Sequence, residues 1–117
     1  IMYEYKAKAI RIVDGDTIDC LVDLGFDVWR KIRIRMRGIN TPESRTRDPI
    51  EKKAGLAAKD RLVEILEASD LEFTLQSHGV GKYGRCLGEI FVKDAEVSVN
   101  QQLVNEGHAT EYWGGKR

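Results

Sequence analysis

Five β-prone segments, with a helical segment after the third and another after the fifth, predict an α+β, mostly β fold. The specific expectation is a five-stranded OB-fold barrel with a helix after strand 3 and a second helix after strand 5. Three observations lead there. Hydrophobic residues alternate with polar ones in short runs, the period of a half-buried strand. Two longer stretches switch to helical spacing and begin with capping residues. The chain has 117 residues, enough for one domain with a modest core, so residues 1–117 are read as a single domain.

The first run, Tyr3 to Val13, is β-prone and ends at the Asp14-Gly15 turn. From Asp16 onward Ile18, Cys20, Val22 and Leu24 alternate with Thr17, Asp19 and Asp23, which predicts a second strand with its even positions inward. Gly25 and Asp27 mark a turn. The third run puts Ile32, Ile34 and Met36 on one face and Lys31, Arg33, Arg35 and Arg37 on the other. Asp48 can cap a helix with Pro49 at its first position and Glu51 closing a capping box. Ala54, Ala57, Ala58, Leu62, Ile65 and Leu66 form its apolar stripe. Leu71, Phe73 and Leu75 alternate as a fourth strand, and Cys86 to Val92 make a fifth. Ser98 and Gln101 can cap the last helix, Val99, Leu103 and Val104 line its inner face, and Gly107 ends it.

The composition is 42% hydrophobic and 32% charged, ordinary for a soluble globular domain. The formal net charge is zero, yet residues 29–61 hold 11 Lys/Arg against 4 Asp/Glu. A basic segment on a neutral chain points to a polyanionic partner, with a solvated surface as the alternative. Cys20 and Cys86 fit neither a disulfide framework nor a zinc spacing, and free thiols are expected. No apolar run approaches 18 residues, so no membrane partner is expected. No secretory signal opens the chain, and a cytoplasmic location is the expectation, a removed signal being the alternative.

The chemistry-bearing residues fall in three segments. Asp14-Gly15-Asp16-Thr17 is by itself a common turn. Asp16, however, begins a strand on the apolar-facing parity, where a carboxylate needs a partner or an ion. Asn40 and the Thr41 carbonyl could share that ion. Arg35 lies five residues before Asn40, and Glu43 follows Pro42, whose fixed φ stiffens the turn. Arg45, Arg47, Lys52 and Lys53 extend the basic zone. The third segment is Lys82-Tyr83-Gly84-Arg85. With Gly79 and Gly81 it formally matches a dinucleotide fingerprint, but a strand follows instead of a helix, which rejects that reading. Tyr112 and Trp113 offer either a stacking face for a base or an aromatic seal on the core.

Taken together, these segments resemble the staphylococcal nuclease (thermonuclease) family from roughly Lys8 to Trp113. The resemblance implies a Ca²⁺-dependent nuclease hydrolysing DNA and RNA, preferring single strands and leaving 3′-phosphates. It implies Asp16, Asn40 and the Thr41 carbonyl as calcium ligands, Arg35 and Arg85 as phosphate-binding catalytic arginines, and Glu43 as the group that handles the attacking water. Lys82 and Tyr83 would contact a terminal phosphate, Tyr112 or Trp113 a base, and Asp14 would support the metal site from behind. One position departs. The family's second metal-binding aspartate corresponds to Asn40, which keeps an oxygen ligand but removes a negative charge. The alternative reading is a nuclease-like module that binds nucleic acid or protein without catalysis. A monomer is expected.

Overall fold

The first strand is the key to the architecture because it is long enough to pair on both sides. The computed structural model describes residues 3–80, 86–93 and 95–112. In it β1 (Tyr3–Asp14) runs antiparallel to β2 (Thr17–Asp23) through its second half and to β5 (Glu72–Val80) through its first half. Register shifts between Ala9 and Arg11 and between Ile12 and Asp14 mark irregularities of the kind that bend a strand. β2 pairs with β3 (Trp29–Met36), and β5 pairs with β6 (Cys86–Phe91). A short parallel contact between β3 and β6 closes the barrel in the order β1-β2-β3-β6-β5. This is the expected OB-type barrel. α1 (Pro49–Glu67) follows the third barrel strand and α2 (Val99–Asn105) follows the fifth. Two short strands were not anticipated. β4 (Ile39–Asn40) and β7 (Thr110–Glu111) pair with each other outside the barrel.

The barrel interior is filled by Ile18, Cys20, Val22, Ile34, Met36, Leu75 and Ile90, with Leu62 and Leu66 of α1 and Leu103 of α2 packed over it. Asn100 of α2 is buried and joins three elements. Its Oδ1 accepts from Ile90 N at 3.1 Å, and its Nδ2 donates to the Arg37 and Gly88 carbonyls at 2.8 and 3.1 Å. A buried polar side chain with every group paired fixes α2 over the β3–β6 seam. Cys20 and Cys86 are free thiols. Burial pushes the Cys20 thiol up to about 12, and the charge of the nearby Cys86 adds to it.

Four expectations are corrected. Ala54 and Ala57 face solvent, and Gly55 takes their place in the buried stripe with Ala58, Leu62, Ile65 and Leu66. Asp48 caps α1, accepting from Ile50 N and Glu51 N, but Glu51 does not close the box. Its carboxylate accepts from Glu43 N at 3.4 Å instead. Leu24 is exposed because the chain has already left the barrel at the hairpin tip. Thr17 and Asp19, on the outward parity of β2, are buried by neighbouring side chains, Asp19 by a two-pronged pair with Arg33.

α1 and α2 are tied by Arg61, whose Nε and Nη2 donate to the Glu106 carboxylate at 2.6 and 3.0 Å. This bond, helped by Gln102, holds the Glu106 carboxyl down at about 2, below its ordinary 4.5. A carboxyl lowered by folding contributes stability above its unfolded pKa and loses it as pH falls through the folded one. Glu106→Gln should therefore lower stability by up to about 1 kcal/mol near neutrality. The gap from the parent should close as pH drops from 4.5 toward 2. Thermal melts of both proteins across that range check it, and a constant gap would assign the loss to packing.

Candidate nuclease site

The turn before β2 places Asp16. Its carbonyl accepts from Met36 N at 2.8 Å, and Thr17 pairs with Arg35 across β2 and β3, so the start of one strand meets the end of the other. Asp16 is buried, at 7% exposure, and its side chain is held from several directions. Thr17 Oγ1 donates to its Oδ1 at 3.0 Å, and Thr41 N donates to its Oδ2 at 3.1 Å. Arg35 Nη2 stands 3.5 Å from the same Oδ2, while Arg35 Nη1 donates to the Met36 carbonyl at 2.9 Å. The guanidinium is thus held by the Met36 carbonyl and the Asp16 carboxylate in the wall of a cavity. Such a fork is suited to two oxygens of a phosphate.

The loop from Asn40 to Ser44 forms the opposite wall. Asn40 ends β4, where pairing with Thr110 of β7 sets its backbone. Ser44 donates from its hydroxyl to Asp14 Oδ1, with its backbone N 3.4 Å from the same oxygen. Asp14 therefore anchors the loop that bears Glu43. Gly55 of α1 lies directly beneath this loop. A Cβ there would sit 2.4 Å from the Glu43 carbonyl oxygen and 2.7 Å from Ser44 N. A Cβ on Gly15 would meet the Ala58 Cβ at 2.8 Å and the Thr41 side chain at 3.1 Å. The two glycines let helix, turn and loop pack with almost no space between them.

The result is a polar cavity of about 290 Å³ lined by Asp14, Asp16, Thr17, Arg35, Asn40, Thr41, Pro42, Glu43 and Arg45. Glu43 and Arg45 are exposed at its mouth. The residues fit a hard cation. The side chains around Asp16 present carboxylate, amide and hydroxyl oxygens, with no sulfur or imidazole in the wall. Thr41 Oγ1 is buried without a hydrogen-bond partner, an orphaned oxygen of the kind that a ligand or a water satisfies. Among the described residues no three His, Cys, Asp or Glu side chains converge as ligands, so amide and carbonyl oxygens would have to complete a metal shell.

This ordering of a barrel, an acidic turn, a strand-end arginine and a Thr-Pro-Glu loop has relatives. The staphylococcal nuclease homologue family matches residues 33–116. The chain belongs to the staphylococcal nuclease family. It is 29% identical to a micrococcal nuclease of Shigella flexneri over 93% of this chain and 59% of that protein. It is 30% identical to endonuclease YhcR of Bacillus subtilis over 94% of this chain and 9% of that protein. A probable staphylococcal-like nuclease of Oryza sativa, CAN1, is 32% identical over 71% of this chain and 22% of its own length. The chain thus spans about three fifths or less of these relatives.

Within this staphylococcal-nuclease-type barrel, Asp16, Arg35, Asn40, Thr41 and Glu43 line one cavity. Tyr112 borders an adjacent one of about 280 Å³ that also touches Arg35, together with Met36, Arg37, Gly38, Ile39 and Leu87. Its backbone N donates to the Gly38 carbonyl at 2.9 Å, and the residue is half-buried. Lys82, Tyr83, Arg85 and Trp113 lie outside the described residues. Sequence reasoning treated Arg45 only as part of a basic zone, and the structure puts it in the cavity wall. It missed Gly55. The available signal was a glycine inside a helix, which costs about 1 kcal/mol relative to alanine and calls for a packing reason.

Proposed function

We propose that this domain is a Ca²⁺-dependent phosphodiesterase that hydrolyses DNA and RNA, with single strands preferred and 3′-phosphates as products. The observation that supports it is one polar cavity lined together by a buried carboxylate, an amide, a strand-end guanidinium and an exposed glutamate. Asp16, Asn40 and the Thr41 carbonyl would hold the calcium. Bound there, calcium supplies charge that offsets the phosphate and makes its phosphorus more open to attack. Arg35 binds the phosphate through its guanidinium and stabilises the charge that develops on its oxygens. Glu43 orients a water against the phosphorus and takes its proton. Arg85 is assigned as a second phosphate ligand on its Lys-Tyr-Gly-Arg motif alone. Arg45, at the mouth, adds a cation for the entering backbone.

A second reading, binding without catalysis, is favoured by two observations. Asn40 lowers the site's negative charge, and the Arg35 guanidinium already offsets Asp16. Digestion of single-stranded DNA with Ca²⁺, with Mg²⁺ and with chelator separates the two, with end-group analysis of the products. Cleavage with Ca²⁺, little with Mg²⁺ and none in chelator is expected, because Mg²⁺ demands a tighter octahedron than mixed protein oxygens provide. Binding with no cleavage under any condition would establish the second reading.

Asn40→Asp restores a carboxylate beside the ion. It should tighten calcium by about 1–2 kcal/mol, roughly tenfold. Half-saturating calcium should fall while the maximal rate changes modestly, since the new charge also opposes the phosphate. A calcium titration of activity checks this. Unchanged or weaker calcium dependence would remove Asn40 from the ligand set.

A further inference from the structure

The outside of the barrel is electrically polarised in a way the zero net charge conceals. β5 and β6 contain no Lys or Arg and carry Glu72 and Glu89. The outward positions of β1, β2 and β3 hold Lys6, Lys8, Arg11, Lys31, Arg33 and Arg35. Against these stand Glu4, Asp19 and Asp23, with Asp19 already paired to Arg33. On β3 the pleat puts Arg35, Arg33, Lys31 and Trp29 on one side, about 6.5 Å apart in succession. The row begins at the candidate site and ends roughly 20 Å away at the β2–β3 hairpin.

That hairpin carries a second anomaly. Leu24, Phe26, Val28 and Trp29 are all exposed, and Phe26 is fully so at 101%. Phe26 also holds φ 54° and Asp27 φ 61°, a conformation that bulky residues rarely adopt. Phe26 therefore gains nothing from burial and sits in an unfavourable backbone state. Trp29, 52% exposed, edges a cavity of about 440 Å³ whose charged lining is Lys6, Lys8 and Lys93 against Asp23 and Glu72. Aromatic faces next to cations are what an unpaired strand needs, stacking for the bases and charge for the backbone.

We infer that the outer face of β1–β3 is an extended track for single-stranded nucleic acid, running from Arg35 along Lys31 to an aromatic anchor at Phe26 and Trp29. The inference deepens the nuclease reading, on which it rests for the position of the reacting phosphate, and it makes long single strands the substrate class. The occupant follows from charge complementarity and from continuity with a phosphate-suited arginine. The track accounts for a hairpin tip that the fold itself does not need.

The test is fluorescence anisotropy in chelator with labelled thymidine oligomers of about 4 and about 16 nucleotides. The parent should bind the longer one at least tenfold more tightly. Phe26→Ser, Trp29→Ala and Lys31→Glu each alter an exposed side chain and should leave the fold intact. Phe26→Ser and Trp29→Ala together should cost about tenfold for the long oligomer and little for the short one. Lys31→Glu should also reduce the salt dependence of long-oligomer binding by about one ion. Equal affinities for the two lengths, or variants that bind the long oligomer like the parent, would overturn the track. So would vesicles of anionic lipid capturing the parent through the hairpin while the long oligomer does not. Cleavage of a short nitrophenyl phosphodiester with Ca²⁺ separates the two readings. Its absence with length-dependent binding intact removes the nuclease alone, and its presence without length dependence removes the track alone.

Discussion

Arg35→Ala should reduce kcat/KM on single-stranded DNA by about 10²–10³, the usual cost of removing one preorganised group aimed at developing charge. The structure gives the reason for that size. The Arg35 side chain is only 16% exposed, tied to the Met36 carbonyl and paired with Asp16, so little reorganisation is needed when a phosphate arrives. Arg35→Lys should rescue little, because an ammonium cannot reach the carbonyl, the carboxylate and two phosphate oxygens in one plane. Arg35→Ala also leaves the buried Asp16 carboxylate held by Thr17 and Thr41 without the guanidinium charge, so some stability should be lost as well. Steady-state kinetics with a thermal melt of each variant separate the effects. A folded Arg35→Ala protein with parental kcat/KM would exclude Arg35 from phosphate binding.

Gly55→Ala should be nearly as damaging, although residue 55 touches no predicted ligand. On helix propensity alone the change gains about 1 kcal/mol. Against it, the new Cβ would lie 2.4 and 2.5 Å from the Glu43 carbonyl oxygen and carbon. Backbone atoms cannot rotate away, so the loop or the helix must shift, at a cost of about 1–3 kcal/mol. The loop is the weaker partner, and it carries Glu43. A displacement of about 1 Å at a water-handling carboxylate is enough to lose on the order of 10² in rate. The expected result is a lowered melting temperature and a fall in kcat with substrate affinity less affected. A variant that melts higher than the parent and keeps its rate would show that the helix–loop contact has room for a methyl group.

The strand periods, the two helices and their first caps, and hence the barrel class, are legible in the order of residues alone. Period-two alternation in Ile18-Cys20-Val22 and Ile32-Ile34-Met36 specifies which face enters the core, and Asp48 and Ser98 supply the caps they promised. Asp16, Arg35, Asn40, Thr41 and Glu43 could be picked out as candidates because motif residues keep their type and spacing whatever the packing around them, and the structure brings the five to one cavity. The remaining features depend on how the elements pack. Whether Gly55 or Ala54 faces inward depends on the helix's rotation about its axis, which small residues on every side of the stripe leave undefined. Glu51 left its capping box because the Glu43 amide, distant in local helical terms, came within reach only after the loop docked. β4 and β7 are two residues each, too short for any periodicity, and exist only because residues 39 and 111 were brought together. The polarity of the barrel wall was likewise hidden in a neutral total. Charges become a patch only when strand pairing sets them side by side.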